Sequence, residues 1–344
     1  MLLSIRIYNY LVGREDQILK NSRTIKLSIL LMLLSLQVKP QVTNDFDKAI
    51  ELFETQQYDA ALESFTALEQ SDPENHKLHY FLGQIDLIKG DHDAASKRFS
   101  TAIEHDPQNS IYHLWLGKTN IQKLQSASFF EQGIIANRAK NNFQKAVQYD
   151  PSNVEARLNL AGYYLNAPAI AGGSIKKAIE QAREIIHNDA KQGHLMLARI
   201  YAYEEEYDQA LQEYEVLITI DPQDEDLYYG KGLLLQTNKQ FDKAFEVFEK
   251  ALALNPISMK NLYQVGRTGV YSGQNLNRSI ECLKIYLDHD PEPGLPPADA
   301  AHWRLGMLYE KAGQAEQARQ EYEKALALNP KEKKYKTALG DLKD

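Results

Sequence analysis

Residues 225–258, EDLYYGKGLLLQTNKQFDKAFEVFEKALALNPIS, carry a pattern that returns along most of the chain. Tyr228, Gly232 and Leu235 are spaced so that they share one face of a first helix. Residues 236–240 separate that helix from a second apolar series. The stretch is therefore predicted to fold as two helices joined by a turn.

The second helix carries Ala244, Phe248 and Ala251 on one face. The two alanines and Gly232 are small, which allows two antiparallel helices to approach closely while larger side chains fill the space around them. Pro256 disfavours helical geometry in the residue before it, so the second helix is expected to end there.

A 34-residue unit of two helices, with small residues at these positions and a closing proline, resembles the tetratricopeptide repeat (TPR). The residues that carry the resemblance are Tyr228, Gly232, Ala244, Phe248, Ala251 and Pro256. The resemblance implies an all-α fold, a right-handed TPR solenoid of about eight helix-turn-helix repeats with a C-terminal capping helix. Proteins with this fold mostly hold other proteins or peptides, and the fold alone does not identify which.

The repeat can be followed through eight units between residues 42 and 332. The units are 42–75, 76–109, 110–153, 154–190, 191–224, 225–258, 259–292 and 299–332. Residues 333–344 are expected to form the capping helix, because a few apolar residues cover the last repeat on one face and charged residues meet water on the other.

The third unit is longer than the regular ones. It contains about ten additional residues around 124–136, among them Phe129 and Phe130, which are apolar enough to need covering. These residues either extend a helix pair and pack on themselves or project to meet a partner, because insertions in solenoids gather on one face.

The fourth unit contains a loop at residues 167–174 that is about five residues longer than its counterparts. Gly172, Gly173 and Ser174 lead into a helix, so their backbone N–H groups are candidates for holding an anion. The loop lacks the Gly-Lys-Ser/Thr sequence of a phosphate-binding loop, which favours a structural turn between helices.

Residues 1–41 differ from the rest and are predicted to be a signal peptide or N-terminal targeting segment. Lys20, Arg23 and Lys26 precede an apolar run at residues 27–36. A basic flank before an apolar run too short to span a bilayer is typical of a secretory signal. We therefore expect a periplasmic or secreted bacterial protein that meets the membrane only through this segment. A cytoplasmic protein whose uncleaved N-terminal helix caps the first repeat is the alternative.

Composition and side-chain spacing argue against several functions. The formal net charge is −8 and no block of lysine and arginine stands out, so nucleic acid is not an expected partner. The single Cys282 is predicted to be a small buried core residue. His79, His194 and His302 recur at one repeat position, which indicates packing between helices rather than a shared metal site. Because no nucleophile has an identifiable base, we expect no catalytic residue, no cofactor and no enzyme.

The remaining candidate site is the groove that first helices line in TPR proteins. By that resemblance, the candidate peptide-binding residues are Tyr80, Gln84, Lys118, Arg199, Tyr229, Tyr263, Arg267 and Trp303. Aromatic rings supply contact area for an extended peptide, and arginine pairs with carboxylates or backbone oxygens. The alternative is that several of these rings pack between neighbouring helices.

The predicted function is a non-catalytic scaffold that binds a protein or peptide in its concave groove, in the bacterial cell envelope. One alternative is a cytosolic adaptor with the same groove. Another is an accessory glycan-binding subunit of a cell-envelope enzyme complex, in which the aromatic row stacks on sugars.

Overall fold

The computed structural model describes residues 45–289, 291 and 293–342, and for Phe129 the backbone alone. This part of the chain contains seventeen α-helices, a 3-10 turn at Ala169–Ala171 and no strand. The targeting segment expected at 1–41 lies outside the described residues. None of the described helices is both long enough and apolar enough to cross a membrane.

The chain divides after Pro73 into two compact units. The described part of the first unit is a helix pair, α1 (Asp45–Glu54) and α2 (Tyr58–Ser71), whose members pack on each other. Phe65 is fully buried, and its ring meets the ring of Phe46 edge-on with 5.9 Å between centroids. This pair therefore shows the aromatic packing expected of the repeat.

The second unit, from Glu74 onward, contains the other helices. They are α3 (His76–Ile88), α4 (His92–His105), α5 (Ser110–Lys123), α6 (Phe129–Tyr149), α7 (Val154–Asn166), α8 (Ile175–Ile186), α9 (Ala190–Tyr203), α10 (Tyr207–Ile220), α11 (Glu225–Thr237), α12 (Phe241–Leu254), α13 (Met259–Ser272), α14 (Leu276–Leu287), α15 (Ala298–Lys311), α16 (Ala315–Leu328) and α17 (Lys333–Asp341).

The helices of the second unit pack in chain order. Each odd-numbered helix packs on the even-numbered helix that follows it, and each even-numbered helix packs on the next odd-numbered one. First helices of neighbouring pairs also touch, as α5 with α7, α7 with α9, α11 with α13 and α13 with α15. These first helices form a face of their own, which we call the first-helix face. The predicted all-helical solenoid is confirmed, including a final helix, α17, that packs on α16.

In four of the helix pairs that the structure describes, close approach depends on a glycine of the first helix that faces an aromatic ring of the second. A Cβ atom on Gly232 of α11 would collide with the ring of Phe248 on α12. Gly117 of α5 meets Phe143 of α6 in the same way. Both phenylalanines are almost completely buried. The small and aromatic residues of the sequence pattern are therefore the two sides of one contact.

The histidines at the recurring position connect the two helices of their own pair. His194 Nδ1 lies 2.6 Å from Glu213 Oε2, and His302 Nδ1 lies 2.6 Å from Glu321 Oε2. The ring of His79 stacks on that of His105, with 6.2 Å between centroids. Their recurrence reflects packing inside separate repeats.

Cys282 of α14 is fully buried, as predicted. Burial raises the pKa of its thiol to about 12. The thiolate is the reactive form of cysteine, so this residue is an inert part of the core at neutral pH.

Candidate functional site

A cavity of about 550 Å³ lies between the first helices α5, α7 and α9, the second helix α6 and the loop that follows α7. Its apolar lining residues are Ile121, Leu124, Ala136, Phe143, Leu158, Gly162, Tyr163, Ala167, Pro168 and Ala171, and its polar ones are Asn159, Asn166 and Arg199. We call this space the insertion cavity. It borders the first-helix face, because residues of three successive first helices line it.

Both segments that lengthen the repeat contribute to the insertion cavity. Helix α6 has 21 residues, whereas α4 and α10 have 14 each. Leu124 and Ala136 come from the lengthened third unit, and Ala167, Pro168 and Ala171 come from the longer loop of the fourth. Two separate departures from the repeat period therefore meet around a single space.

The start of α6 is fixed by a capping box. The backbone N–H of Ser128 donates to Glu131 Oε2 at 3.1 Å, and the Ser128 hydroxyl donates to the same oxygen at 2.6 Å. Beyond this cap, Phe130 is 88% exposed and Ile134 is 58% exposed. Exposure of such large apolar side chains favours the projecting interpretation of the inserted residues over self-packing.

The loop at 167–174 is a tight structural turn. The backbone N–H groups of Gly172, Gly173 and Ser174 donate to carbonyl oxygens of Ala169, Pro168 and Tyr164 at 2.9, 3.1 and 2.8 Å, respectively. Because these three N–H groups already donate within the protein, they are not available to hold an anion. The Tyr163 hydroxyl donates to the carbonyl oxygen of Ala171 at 2.8 Å, which ties the loop to α7.

The cavity depends on the missing side chain of Gly162. This residue occupies the ninth position of its unit, where neighbouring units have Lys118 and Arg199. A Cβ atom on Gly162 would meet no atom within 4 Å outside its own helix backbone. Any larger residue at this position would project into the cavity.

Polar groups accompany the apolar wall. Asn159 Nδ2 donates to the carbonyl oxygen of Glu155 at 2.8 Å, and Asn166 Nδ2 donates to that of Gly162 at 2.7 Å. Among the described residues, neither amide oxygen receives a hydrogen bond, and the exposed Arg199 forms no ion pair. The site thus combines an apolar space with two hydrogen-bond acceptors and one cation.

Arg199 is the residue of the predicted set that lines the insertion cavity. Lys118 of α5 is already engaged, with its Nζ 2.8 Å from Glu155 Oε1 and 3.9 Å from the ring centroid of Trp115. Tyr80 is partly buried between Phe81 and Tyr112, whose ring centroids are 5.2 and 5.3 Å away.

The other predicted residues lie elsewhere. Gln84 follows Tyr80 by one turn of α3, and with Trp115 it opposes the burial that raises the Tyr80 pKa. Tyr229 packs on Phe248, 6.3 Å between centroids, and beneath Lys260. The eight predicted residues therefore do not converge on one place.

Tyr263 requires a correction. It is 3% exposed and its ring lies 5.2 Å from that of Tyr286, so the structure places it in the core between α13 and α14. Its side chain is not available as a surface contact for a peptide. The alternative that rings pack between neighbouring helices applies to this residue. Arg267 follows Tyr263 by one turn of α13, and Arg304 contacts the rings of both Tyr263 and Trp303.

Sequence reasoning missed the centre of the site. The predicted set does not contain Gly162, Asn159 or Asn166, because the family resemblance points to large or charged side chains. The sequence feature that could have indicated the site is the absence of a side chain, since Gly162 stands at a position where other repeats have a long side chain. Gly162 also lies between the two insertions, residues 124–136 and the loop at 167–174.

Comparison with known proteins agrees with this architecture. Family models described as tetratricopeptide repeat match residues 52–118, 194–228, and 225–257 together with 299–332. The solved C-terminal part of a TPR repeat-containing protein from Cytophaga hutchinsonii covers 86% of this chain and 99% of its own, with 17% identity and a TM-score of 0.50. The fold is a TPR solenoid.

Two further proteins resemble this TPR solenoid. A thermophilic TPR protein of Thermus thermophilus is 20% identical, covers 56% of this chain and 98% of its own, and gives a TM-score of 0.44. The human protein O-mannosyl-transferase TMTC1 is 30% identical over 120 residues, which are 33% of this chain and 13% of that protein. This chain therefore spans a small part of the human protein's length, and the transferase name describes the whole of that protein.

Proposed function

We propose that this TPR solenoid is a protein-binding scaffold that holds a peptide segment of its partner on the first-helix face. A large apolar side chain of that segment occupies the insertion cavity. One observation carries the proposal: the two segments that break the repeat period line the same apolar space. Insertions in solenoids map to one face, which is often the binding face.

The dimensions of the cavity support a peptide anchor. Its volume of about 550 Å³ falls within the range of roughly 300–1,000 Å³ that is typical of ligand sites. Phe143 and Leu158 offer an apolar wall, and burial of a leucine or phenylalanine side chain there supplies about 1.5–3 kcal/mol. The cavity is thus suited to the anchor residue of a longer segment.

The polar groups of the cavity indicate which residues of the partner segment are expected next to its apolar anchor. An extended peptide presents N–H donors that need acceptors, and the side-chain oxygens of Asn159 and Asn166 are suitably unengaged. Arg199 favours a carboxylate, since its planar guanidinium binds that group with two parallel hydrogen bonds. The partner segment is therefore expected to contain an acidic residue next to the apolar anchor.

The aromatic rings support a peptide rather than a glycan. Lys260 Nζ lies 5.4 Å from the ring centroid of Tyr229, and Trp303 lies beneath both Arg304 and Lys334. A sugar that stacked on these rings would first have to displace the cations from their faces.

Selection from a random peptide library tests the proposal. Peptides are selected on the wild-type protein, and their affinities are then measured for Gly162→Leu and for Gly133→Leu. Gly133 of α6 is the matched control, because a Cβ there also meets no atom within 4 Å and the residue does not line the cavity. We expect selected peptides with a leucine or aromatic anchor and a neighbouring acidic residue.

Those peptides should bind Gly133→Leu with unchanged affinity and bind Gly162→Leu at least tenfold more weakly, because the leucine fills the cavity. Equal affinity for the two variants would contradict the role of the cavity. Selection of no binding peptide would contradict peptide binding itself.

We also propose that the chain is exported and acts in the cell envelope. The support is the sequence of the N-terminal segment, where Lys20, Arg23 and Lys26 precede the apolar run at 27–36. Intact-mass analysis of the protein from fractionated cells tests this point. An envelope species shortened near residue 41 is expected, and a full-length cytoplasmic species would contradict export.

A further inference from the structure

A second site lies on α13, α15 and α17, away from the insertion cavity. The guanidinium carbon of Arg304 is 5.1 Å from the ring centroid of Tyr263 and 5.3 Å from that of Trp303. Lys334 Nζ is 4.8 Å from the ring centroid of Trp303. Trp303 thus contacts two cations at once.

Arg267 of α13 belongs to the same group. Its Nε donates to the Tyr271 hydroxyl at 3.0 Å, and its guanidinium carbon lies 5.3 Å from the centroid of that ring. Burial raises the pKa of Tyr263, while Arg304 and Arg267 both act to lower it. Arg304 contacts the Tyr263 ring, and Arg267 follows Tyr263 by one turn of α13, so both guanidinium groups lie near that ring. We call Tyr263, Arg267, Tyr271, Trp303, Arg304 and Lys334 the arginine–aromatic cluster.

Neither Arg267 nor Arg304 forms an ion pair with any residue that the structure describes. Several other partly exposed cations of this acidic chain pair with carboxylates. Lys191 pairs with Asp221 and Asp224 at 2.9 and 2.7 Å, and Arg278 pairs with Glu249 and Glu281, both at 2.9 Å. Two neighbouring guanidinium groups without a carboxylate are thus a local property of the cluster.

The acidic groups near the cluster are largely engaged. Asp299 acts on Tyr263, but it is 9% exposed and accepts hydrogen bonds from the Tyr335 hydroxyl at 2.9 Å and from Asn329 Nδ2 at 3.1 Å. Glu332 lies 3.7 Å from Lys334. These contacts leave the two arginines without a carboxylate of the chain.

The arrangement suits an incoming carboxylate. Two guanidinium groups that share one neighbourhood repel each other, and an anion between them removes that repulsion. Aromatic rings contact both guanidinium groups, so less side-chain freedom is lost when their N–H groups bind a ligand. Arg267 and Arg304 are both partly exposed, so their N–H groups are accessible from water.

We infer that the arginine–aromatic cluster binds the side-chain carboxylates of an acidic segment in a protein partner. Arg267 and Arg304 hold the carboxylates, and Trp303 and Lys334 contact the neighbouring part of the segment. The inference does not rest on the insertion cavity, because none of the cluster residues lines it.

Isothermal titration calorimetry at low salt, with an acetylated and amidated hexaglutamate peptide, tests the inference. Binding of hexaglutamate and no binding of hexaglutamine are expected. Arg267→Gln and Arg304→Gln should each weaken hexaglutamate binding at least tenfold. Arg304→Lys keeps the charge but loses the planar pair of donors, so an intermediate loss is expected.

The matched control is Arg183→Gln, which removes the same charge from an exposed position of the second helix α8. Hexaglutamate binding by this variant should stay within twofold of that by the wild type. An equal loss in Arg183→Gln would mean unspecific charge attraction and would overturn the inference. Absence of hexaglutamate binding, or its full displacement by 10 mM inorganic phosphate, would also overturn it. Circular dichroism identifies variants that fail to fold. If Arg304→Gln does not fold, the result for Arg267→Gln decides the test, because Arg267 contacts the exposed ring of Tyr271 and its loss should leave the fold intact.

Discussion

The region from α5 to α8 and the region from α11 to α14 have the same repeat plan but differ in how completely it is filled. In both, a glycine of the first helix receives the phenylalanine of the second, as Gly117 receives Phe143 and Gly232 receives Phe248. Both rings belong to a buried core cluster, and Phe143 additionally lines the insertion cavity.

The difference arises from residues outside the repeat pattern. In the first region a longer α6, a longer loop and Gly162 leave an apolar space. In the second region the position that corresponds to Gly162 is Leu233, which packs against the core. The repeat pattern therefore accounts for the core contacts, and the departures from it leave the space that we propose as the binding site.

The largest effect is expected for Phe248→Ala in the filled region. This substitution empties a fully buried ring position, so the free energy of unfolding should fall by about 3–5 kcal/mol. Urea denaturation followed by circular dichroism measures it. A loss below about 1 kcal/mol would mean that the two regions do not share their central contact.

A smaller loss is expected for Gly173→Ala in the loop of the inserted region. A Cβ there would collide with the carbonyl oxygen of Ala167, so the turn must shift at a cost of about 1–3 kcal/mol. Thermal denaturation gives the comparison with Gly133→Ala, which has open space and should not be destabilised. Equal melting temperatures in the two variants would show that the turn is not rigid.

Cys282 offers a pH-dependent test of the filled region. Burial raises the pKa of its thiol to about 12, whereas an unfolded chain releases this proton near pH 8.5. Between these values the folded state binds more protons, so stability falls as pH rises. From pH 8 to 10, wild type should lose about 1–2 kcal/mol more than Cys282→Ala in urea denaturation. Parallel pH profiles would contradict burial of the thiol.

The smallest effect is a gain. Gly162→Ala removes the flexibility of a glycine inside α7 and adds a Cβ that meets no neighbour, so stability should rise by about 0.5–1 kcal/mol. The midpoint of urea denaturation reports this change. A destabilised variant would show that the space beside Gly162 is filled in solution.

Much of the fold could be predicted from the sequence, because both residues of a contact between paired helices lie within one repeat. Gly232 with Phe248 and the closing Pro256 suffice to predict two helices and their mutual packing. Each such contact lies within one unit, so helical periodicity reveals it.

The site was predicted only in part, because it depends on contacts between units. Arg199 was found from its repeat position, and Gly162 was missed because an absent side chain gives no pattern to follow. Tyr80 and Tyr263 share one repeat position, yet one is partly exposed and the other is buried against Tyr286. That difference is set by the size of residues in neighbouring helices, which a repeat pattern does not specify.

Photocrosslinking locates the bound peptide, when a library-selected peptide carries benzoylphenylalanine in place of its apolar anchor. After irradiation, mass spectrometry of the digested complex identifies the attached residues. We expect attachment to the lining of the insertion cavity, at Ile121, Leu124, Leu158 or Tyr163. Attachment confined to α11–α16 would contradict the claim that the inserted region binds the partner.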